Sequence, residues 1–507
     1  MIQTSWLRGL SSRCLAGLAR QMATERQRLL AVTILAGGLC GLAAVAFHLS
    51  IGWLEDLMIN RANHAPGHSW IFWTILSPGV GGLIVGLGLT YWAPAAAGSG
   101  IPQVKIAFAL RSGLISLRET IGKFALCAFQ LGSGASLGLE GPTVQICAGV
   151  SSLLARAARL SPTNCRRMTP VGMAAGIAAA FNAPIAAITF TLEELIGDLD
   201  QTMLSGVIVA AALAAVVEHS ILGSNPVFHM PRAYTLGTAS SLVWYALLGV
   251  LAAVVSIAFT DGLLNLRALF KGWKAVPKWI HPALGGLGTG ALAVVGLHWF
   301  RLNGIAGDPY RTLELALTGT MPLLFMVGFC VLKLAATVSS YSSGGSGGIF
   351  APSLFMGAML GGAVGYLDVT VFHHPADSIG AFAVVGMGAV FAGIVRAPMT
   401  SVLIVFEMTG GYGLVLPLMI ANMSAFALAR RWRPISVYEA LLLQDGIELP
   451  HGTPPVEPPN QAELGPQGAT MDGRERQGSE IRDQGSGVTV PGHSTSHAAG
   501  YLQNPEH

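Results

Sequence analysis

Charge is scarce in this sequence. Asp, Glu, Lys and Arg together make up 11% of its 507 residues, against roughly a quarter in a soluble domain. Apolar residues reach 52% and the mean hydropathy is +0.58, which excludes an ordinary water-soluble fold and points to a polytopic membrane protein. Cysteine is thin as well. Cys14, Cys40, Cys127, Cys147, Cys165 and Cys330 have no CxxC spacing and lie mostly within or beside apolar segments. They read as small buried hydrophobes, not as disulfides or metal ligands. His48, His281, His298, His373 and His374 lack metal-ligand spacing, and interface or loop roles suit them better. No H-E-x-x-H pair, nucleophile-and-base motif or P-loop occurs, which argues against an intramembrane hydrolase and an ATP-driven pump.

Apolar runs recur from about residue 29 to 430, among them 29–52, 70–92, 203–222, 242–264, 284–299 and 322–338. Some reach the ~20 residues that a spanning helix needs, but many others are cut short by Gly, Pro or Ser. Interrupted helices are therefore expected, and irregular backbone at membrane depth survives only where it is buried in protein or lines a cavity. The ten tryptophans and nine tyrosines, Trp53, Trp70, Trp73 and Trp92 among them, fit interfacial belts.

The ends differ from the body. Residues 1–28 carry five arginines against Glu25 and read as an amphipathic, uncleaved cytoplasmic lead-in. Arg430, Arg431 and Arg433 place the far end of the apolar region inside too. From 449 the chain turns to Pro, Gly, Gln, Ser and charge, with three arginines against seven acids. Residues 449–507 are thus expected to form a disordered cytoplasmic tail of net charge −4 beside a basic body.

Within the apolar region, Gly138-Leu139-Glu140-Gly141-Pro142 sets one carboxylate among helix-breaking residues just before an apolar run. An ionisable group at that depth is costly unless it faces a cavity or a partner, so it is a functional candidate by default. The glycines and proline predict a loop opening into a helix N-terminus, whose free N–H groups and partial positive charge favour an anion. Glu140 would compete for that place with its own carboxylate.

The sequence repeats itself. A shift of 210 residues aligns Lys123 with Lys333, Ser133-Gly134 with Ser343-Gly344, Gly138 with Gly348 and Pro142 with Pro352, and sets Glu140 on Phe350. A shift of 214 aligns Gly172-Met173 with Gly386-Met387, Ala183-Pro184 with Ala397-Pro398 and Glu193 with Glu407. Two membrane halves follow, 29–222 and 223–448. Duplicated halves with broken helices put a transport site at the repeat interface. Here it would join 138–142 to Gly347-Gly348-Ile349-Phe350-Ala351-Pro352, with backbone N–H groups including those of Gly141 and Ala351. Gly98-Ser99-Gly100-Ile101-Pro102 is a third helix start, and its hydroxyl can donate to an anion. Lys123 and Lys333 could raise the potential along an anion route or snorkel to an interface.

In this order and spacing, 98–102, 138–142 and 347–352 resemble the signature stretches of the CLC chloride channels and proton/chloride exchangers. Ala180-Phe181-Asn182-Ala183-Pro184 leading to Glu193-Glu194, and Tyr438 near the end, extend the likeness over residues 30–445. The resemblance implies an all-α membrane protein with an inverted repeat of tilted, partly spanning helices, and a homodimer in the lipid bilayer. It implies no cofactor, metal, nucleic acid or obligatory protein partner, chloride and protons being the transported ions. Ser99 and Tyr438 would offer hydroxyls to a central chloride, joined by the amides of Ile349 and Phe350. Glu140 would be the outer gating glutamate and Glu194 the inner proton glutamate. Glu193 reads better as structural. Leu139 departs from the family's frequent basic residue there, which weakens the field at the outer anion site. The paired cytoplasmic modules of many relatives have no counterpart.

The resemblance implies a secondary-active proton/chloride antiporter, because an inner glutamate has no use in a passive pore. A gated chloride channel with the same pore is the alternative, and a compact bacterial inner-membrane protein is the expected setting.

Overall fold

The computed structural model describes residues 24–197, 201–223, 241–307, 309–373, 375 and 378–450. The basic lead-in before 24 and the tail beyond 450 lie outside them, as does His374. The described part is helical, with only two isolated β-bridges between loops.

The first half of the chain forms α1 (Glu25–Glu55), α2 (Ser69–Tyr91), α3 (Ile101–Leu110), α4 (Leu117–Gly132), α5 (Glu140–Ala157), α6 (Pro162–Phe181), α7 (Pro184–Thr191) and α8 (Gln201–Leu222). The same order of long and short helices then recurs. It runs α9 (Ser241–Gly272), α10 (His281–Phe300), α11 (Tyr310–Leu317), α12 (Leu323–Ser342), α13 (Phe350–Phe372), α14 (Ser378–Val395), α15 (Pro398–Thr409) and α16 (Val415–Trp432). A final short helix, α17 (Val437–Gln444), has no earlier mate among the described residues. Helices α5 and α13 begin 210 residues apart, at 140 and 350, while α7 and α15 begin 214 apart, at 184 and 398.

Local chemistry sets these boundaries. Ser116 caps α4 and Glu119 reaches back to the Ser116 amide, so two orphan donors are satisfied reciprocally. Proline stands at the start of α6, α7 and α15, where its missing N–H costs no bond. Before α7 and α15 the chain turns through a left-handed residue, Asn182 (φ 51°) and Arg396 (φ 72°). The bulky Arg396 is held there by its guanidinium, which donates to the carbonyls of Ala429 (2.8 Å), Phe426 (3.3 Å) and Arg433 (3.0 Å) at the end of α16.

Among the described residues, nine helical stretches are long and apolar enough to cross a membrane. Short helices such as α3, α7 and α15 stop partway, which is the interruption that the glycines and prolines predicted. Helix α14 is enclosed by protein along almost its whole length, whereas α8 and α9 keep large apolar side chains such as Ile208, Val216, Val243 and Leu251 exposed. In water such exposure would be unfavourable; against lipid tails it costs nothing. The five described cysteines are buried and free.

Candidate functional site

Three helix starts are tied together by loop backbone. Gly138 and Gly348 exchange both hydrogen bonds, N–H to O=C at 2.8 and 2.7 Å, so the N-termini of α5 and α13 face one another across a local two-fold relationship. Gly98 forms the second bridge, opposite Ser346, donating to Gly345 O at 2.9 Å and accepting from Gly347 N at 3.1 Å, which fixes the start of α3 nearby. A side chain at Gly141 would meet backbone, whereas one at Gly138 would meet the Glu140 carboxylate. A β-carbon on Gly141 would lie 2.5 Å from Ser99 O, and one on Gly138 would lie 2.3 Å from a Glu140 carboxylate oxygen.

Glu140 opens α5 and is 1% exposed. Its Oε2 accepts from Ala351 N at 3.4 Å, on the facing helix, while Oε1 has no hydrogen-bond partner. Among the described residues, Ser99 Oγ and Tyr438 OH are likewise buried and without partners. Buried polar atoms are normally satisfied, so three unspent groups around one set of helix ends need a reason. Two hydroxyls able to donate, beside helix ends carrying partial positive charge, have the chemistry to coordinate an anion. The amides of Ile349 and Phe350 open α13, where helix geometry leaves them without an intrahelical acceptor, and the Gly141 amide stands likewise in the first turn of α5.

The surroundings hold these groups still. Phe350 packs its ring on Phe391 (4.3 Å between centroids), Phe181 (5.1 Å) and Phe190 (5.3 Å), which locks the first turn of α13. Tyr438 is placed by α17, whose end is clamped to α9 through Arg267 and Asp445 (2.8 Å) and through Gln444, which donates to Leu264 O at 2.9 Å. Lys123 and Lys333 do not snorkel; both are almost fully buried. Lys123 Nζ donates to Ala96 O (3.0 Å) and Gly98 O (2.5 Å), and Lys333 Nζ to Gly304 O (3.0 Å) and Ile305 O (3.2 Å). The repeated lysines thus pin the loops that precede α3 and α11. The loop before α3 also takes Ser346 Oγ on Ala96 O (2.7 Å) and Gln145 on Ala95 O (3.0 Å).

Glu140 and Glu194 each line a cavity. One of about 110 Å³ reaches Glu140 and is lined by His48, Glu55, Leu139, Tyr310 and Ala351. The other, about 760 Å³, is lined by Glu193, Glu194, Arg166, Lys105, Glu439 and the 447–450 segment. Glu194 sits in the π-turn Leu192–Ile196 that follows α7, with its side chain 7% exposed and its Oε1 2.7 Å from Lys105 Nζ. Its neighbour Glu193 turns away and accepts from Met399 N, Thr400 N and Thr400 Oγ1 at 3.1, 2.8 and 2.6 Å, a structural use of a carboxylate. Ser99, Gly141, Ile349, Phe350, Ala351 and Glu140 therefore come from loops that are bonded to one another. Glu194 is apart from them, on the larger cavity.

The sequence profile of the voltage-gated chloride channel family matches residues 81–430. The chain belongs to this family. Among its CLC relatives, an H(+)/Cl(-) exchange transporter ClcA of Salmonella paratyphi A is 30% identical over 417 residues, covering 80% of this chain and 86% of the relative. The crystal structure of a slow cyanobacterial Cl-/H+ antiporter is similar with a TM-score of 0.75 at 25% identity, over 82% of this chain and 98% of that one. A CLC-type fluoride/proton antiporter shares the fold, with a TM-score of 0.68 at 22% identity over 83% and 99% of the two chains. The CLC fold, all helical and built from partly spanning segments, is thus the fold of this chain.

The contact of Lys105 with Glu194 was not singled out from the sequence. Lys105 is the sole charge in the ten residues of α3, Ile-Pro-Gln-Val-Lys-Ile-Ala-Phe-Ala-Leu, and an isolated charge in an apolar helix is the signal that would have singled it out. The ties that the two repeated lysines make to loop carbonyls left no trace beyond their shared register.

Proposed function

We propose that this chain is a secondary-active antiporter that moves chloride in exchange for protons, with Glu140 and Glu194 as the two proton-handling groups. The observation that carries the proposal is the Glu140 carboxylate on the Ala351 amide, at the head of α13, among buried hydroxyls that have no other partner. A carboxylate there occupies the place of an anion. When it takes a proton from the outer cavity it loses its charge, the helix ends no longer hold it, and it yields. Chloride then replaces it, coordinated by the Ser99 and Tyr438 hydroxyls and the amides of Ile349 and Phe350, with Gly141 and Ala351 serving the outer position. Hydroxyls and amides substitute for water without a full positive charge, so the ion can leave again. Glu194, on the inner cavity, supplies the route by which protons reach Glu140 from the other side.

The same proposal places two repeat halves at 29–222 and 223–448, both chain ends in the cytoplasm and the protein in a bacterial inner membrane. Glu25 at the start of α1 accepts from Ser161 N (2.8 Å) and Asn164 Nδ2 (2.7 Å), in a stretch of chain that carries Arg156, Arg159, Arg166 and Arg167. A basic cluster on that side agrees with the positive-inside rule. A homodimer would cover Ile185, Met399, Met419 and Met423, each more than half exposed on α7, α15 and α16.

The test is reconstitution in liposomes with a chloride gradient, recording chloride flux and internal pH together for wild type and Glu194→Gln. Uphill proton movement in wild type, lost in the variant while chloride still flows, is the expected result. Chloride flux with no coupled proton movement in wild type would make the protein a channel with the same pore.

A further inference from the structure

We propose that Lys105 is a positioning residue for the proton branch, an ammonium latch that holds Glu194 charged and aligned at the inner cavity and must let go for each proton to load. The proposal rests on Glu194 as the inner proton carrier.

The geometry is that of a latch at a water boundary. Lys105 Nζ donates to Glu194 Oε1 at 2.7 Å, with the lysine side chain 19% exposed and the glutamate 7%. The cation is therefore the wetter partner, and both side chains line the cavity of about 760 Å³. Other charged groups face this place without replacing it. Arg166, from α6, is committed to α3, its Nε donating to Phe108 O at 3.0 Å and its guanidinium lying 4.5 Å over the Phe108 ring. Glu193 is engaged with the start of α15. Glu439, from α17, and Glu448 add negative charge to the same wall. Lys105 is the cation that the structure gives to Glu194.

The consequence follows from solvation. An exposed ion pair contributes little, but removing one partner of a nearly buried pair leaves an uncompensated charge, which favours the neutral acid. In the loading step a proton from cavity water binds the Glu194 carboxylate; the ion pair becomes a neutral carboxylic acid and a free ammonium, which hydrates in the cavity. When Glu194 passes the proton on towards Glu140, its carboxylate recaptures Lys105. Lys105 is the fifth residue of α3, about one turn from its start beside Ser99, so one short helix links the anion loop to the proton entry.

The experiment measures coupled proton flux against internal pH in liposomes for wild type, Lys105→Met, Lys105→Gln, Lys105→Arg, Glu194→Gln and the double variant Lys105→Met/Glu194→Gln, each normalised to its own chloride turnover. Neutral substitutions are expected to move the midpoint of the internal-pH profile up by about one unit, with Lys105→Arg keeping the wild-type midpoint and Lys105→Met adding nothing to Glu194→Gln. Profiles of Lys105→Met and Lys105→Gln that superimpose on wild type, while Glu194→Gln uncouples, would overturn the latch alone. Wild-type coupling in Glu194→Gln would overturn the assignment of Glu194 beneath it.

Discussion

Glu193 and Glu407 cap each other's helices. Glu193, just past α7, accepts from the first amides of α15 at Met399 (3.1 Å) and Thr400 (2.8 Å), and Glu407, near the end of α15, accepts from the first amides of α7 at Ile185 (3.0 Å) and Ala186 (2.7 Å). Each carboxylate meets the positive end of the opposite helix, so one exchange secures both short helices. Glu407→Ala should cost about 1–2 kcal/mol, and Glu193→Ala, at a more exposed position, less. Thermal unfolding in detergent checks both. A loss of proton coupling in Glu193→Ala at unchanged stability would contradict the structural role.

Glu140→Gln keeps the shape of the side chain and removes its charge. Chloride flux should become independent of external pH and proton movement should stop. In wild type the sign is fixed by the mechanism: chloride flux rises as external pH falls, because the protonated side chain gives up the site. Flux that rises with pH would refute the displacement step. The paired chloride and proton traces across external pH decide it.

Gly138→Ala introduces a carbon 2.3 Å from Glu140 Oε2 and 3.1 Å from Ala351 N, on backbone bonded to Gly348. The carboxylate end can move, whereas the paired backbone cannot. The variant should fold and carry chloride with a pH dependence at least several-fold weaker than wild type. An unchanged pH profile would show that the Ala351 contact does not hold the carboxylate.

Lys123 and Lys333 make the same kind of bond at matching positions, yet only the loop pinned by Lys123 leads into Ser99. Replacing either by Met removes a donor from two buried carbonyls and should cost about 1–3 kcal/mol, less for Lys123, whose carbonyls keep Ser346 Oγ and Gly347 N. Chloride turnover per folded molecule should fall several-fold in Lys123→Met alone. Equal turnover in the two variants would remove Lys123 from the support of the anion loop.

Much of this was legible in one dimension. Low charge, broken apolar runs and the two shifts of 210 and 214 residues identified a duplicated membrane protein, because glycine and proline interrupt helices wherever they stand. Glu140 stood out because a carboxylate at that depth needs a reason. Lys105 did not, since its meaning depends on a partner 89 positions away in the chain. The lysine pair was visible as a register but not as a function: the long side chains could as well have reached an interface, and only packing around Ala96, Gly98, Gly304 and Ile305 turned them inward.

By itself, the sequence determined where helices start and stop, which segments are apolar enough for lipid, and that its halves repeat. These are properties of neighbouring residues and of spacing. Tertiary structure decided that Gly138 meets Gly348, that Ala351 answers Glu140, and that Ser99 and Tyr438 keep unspent hydroxyls. Those are relationships between residues hundreds of positions apart, and they exist only once close-packed glycines let the helix ends approach.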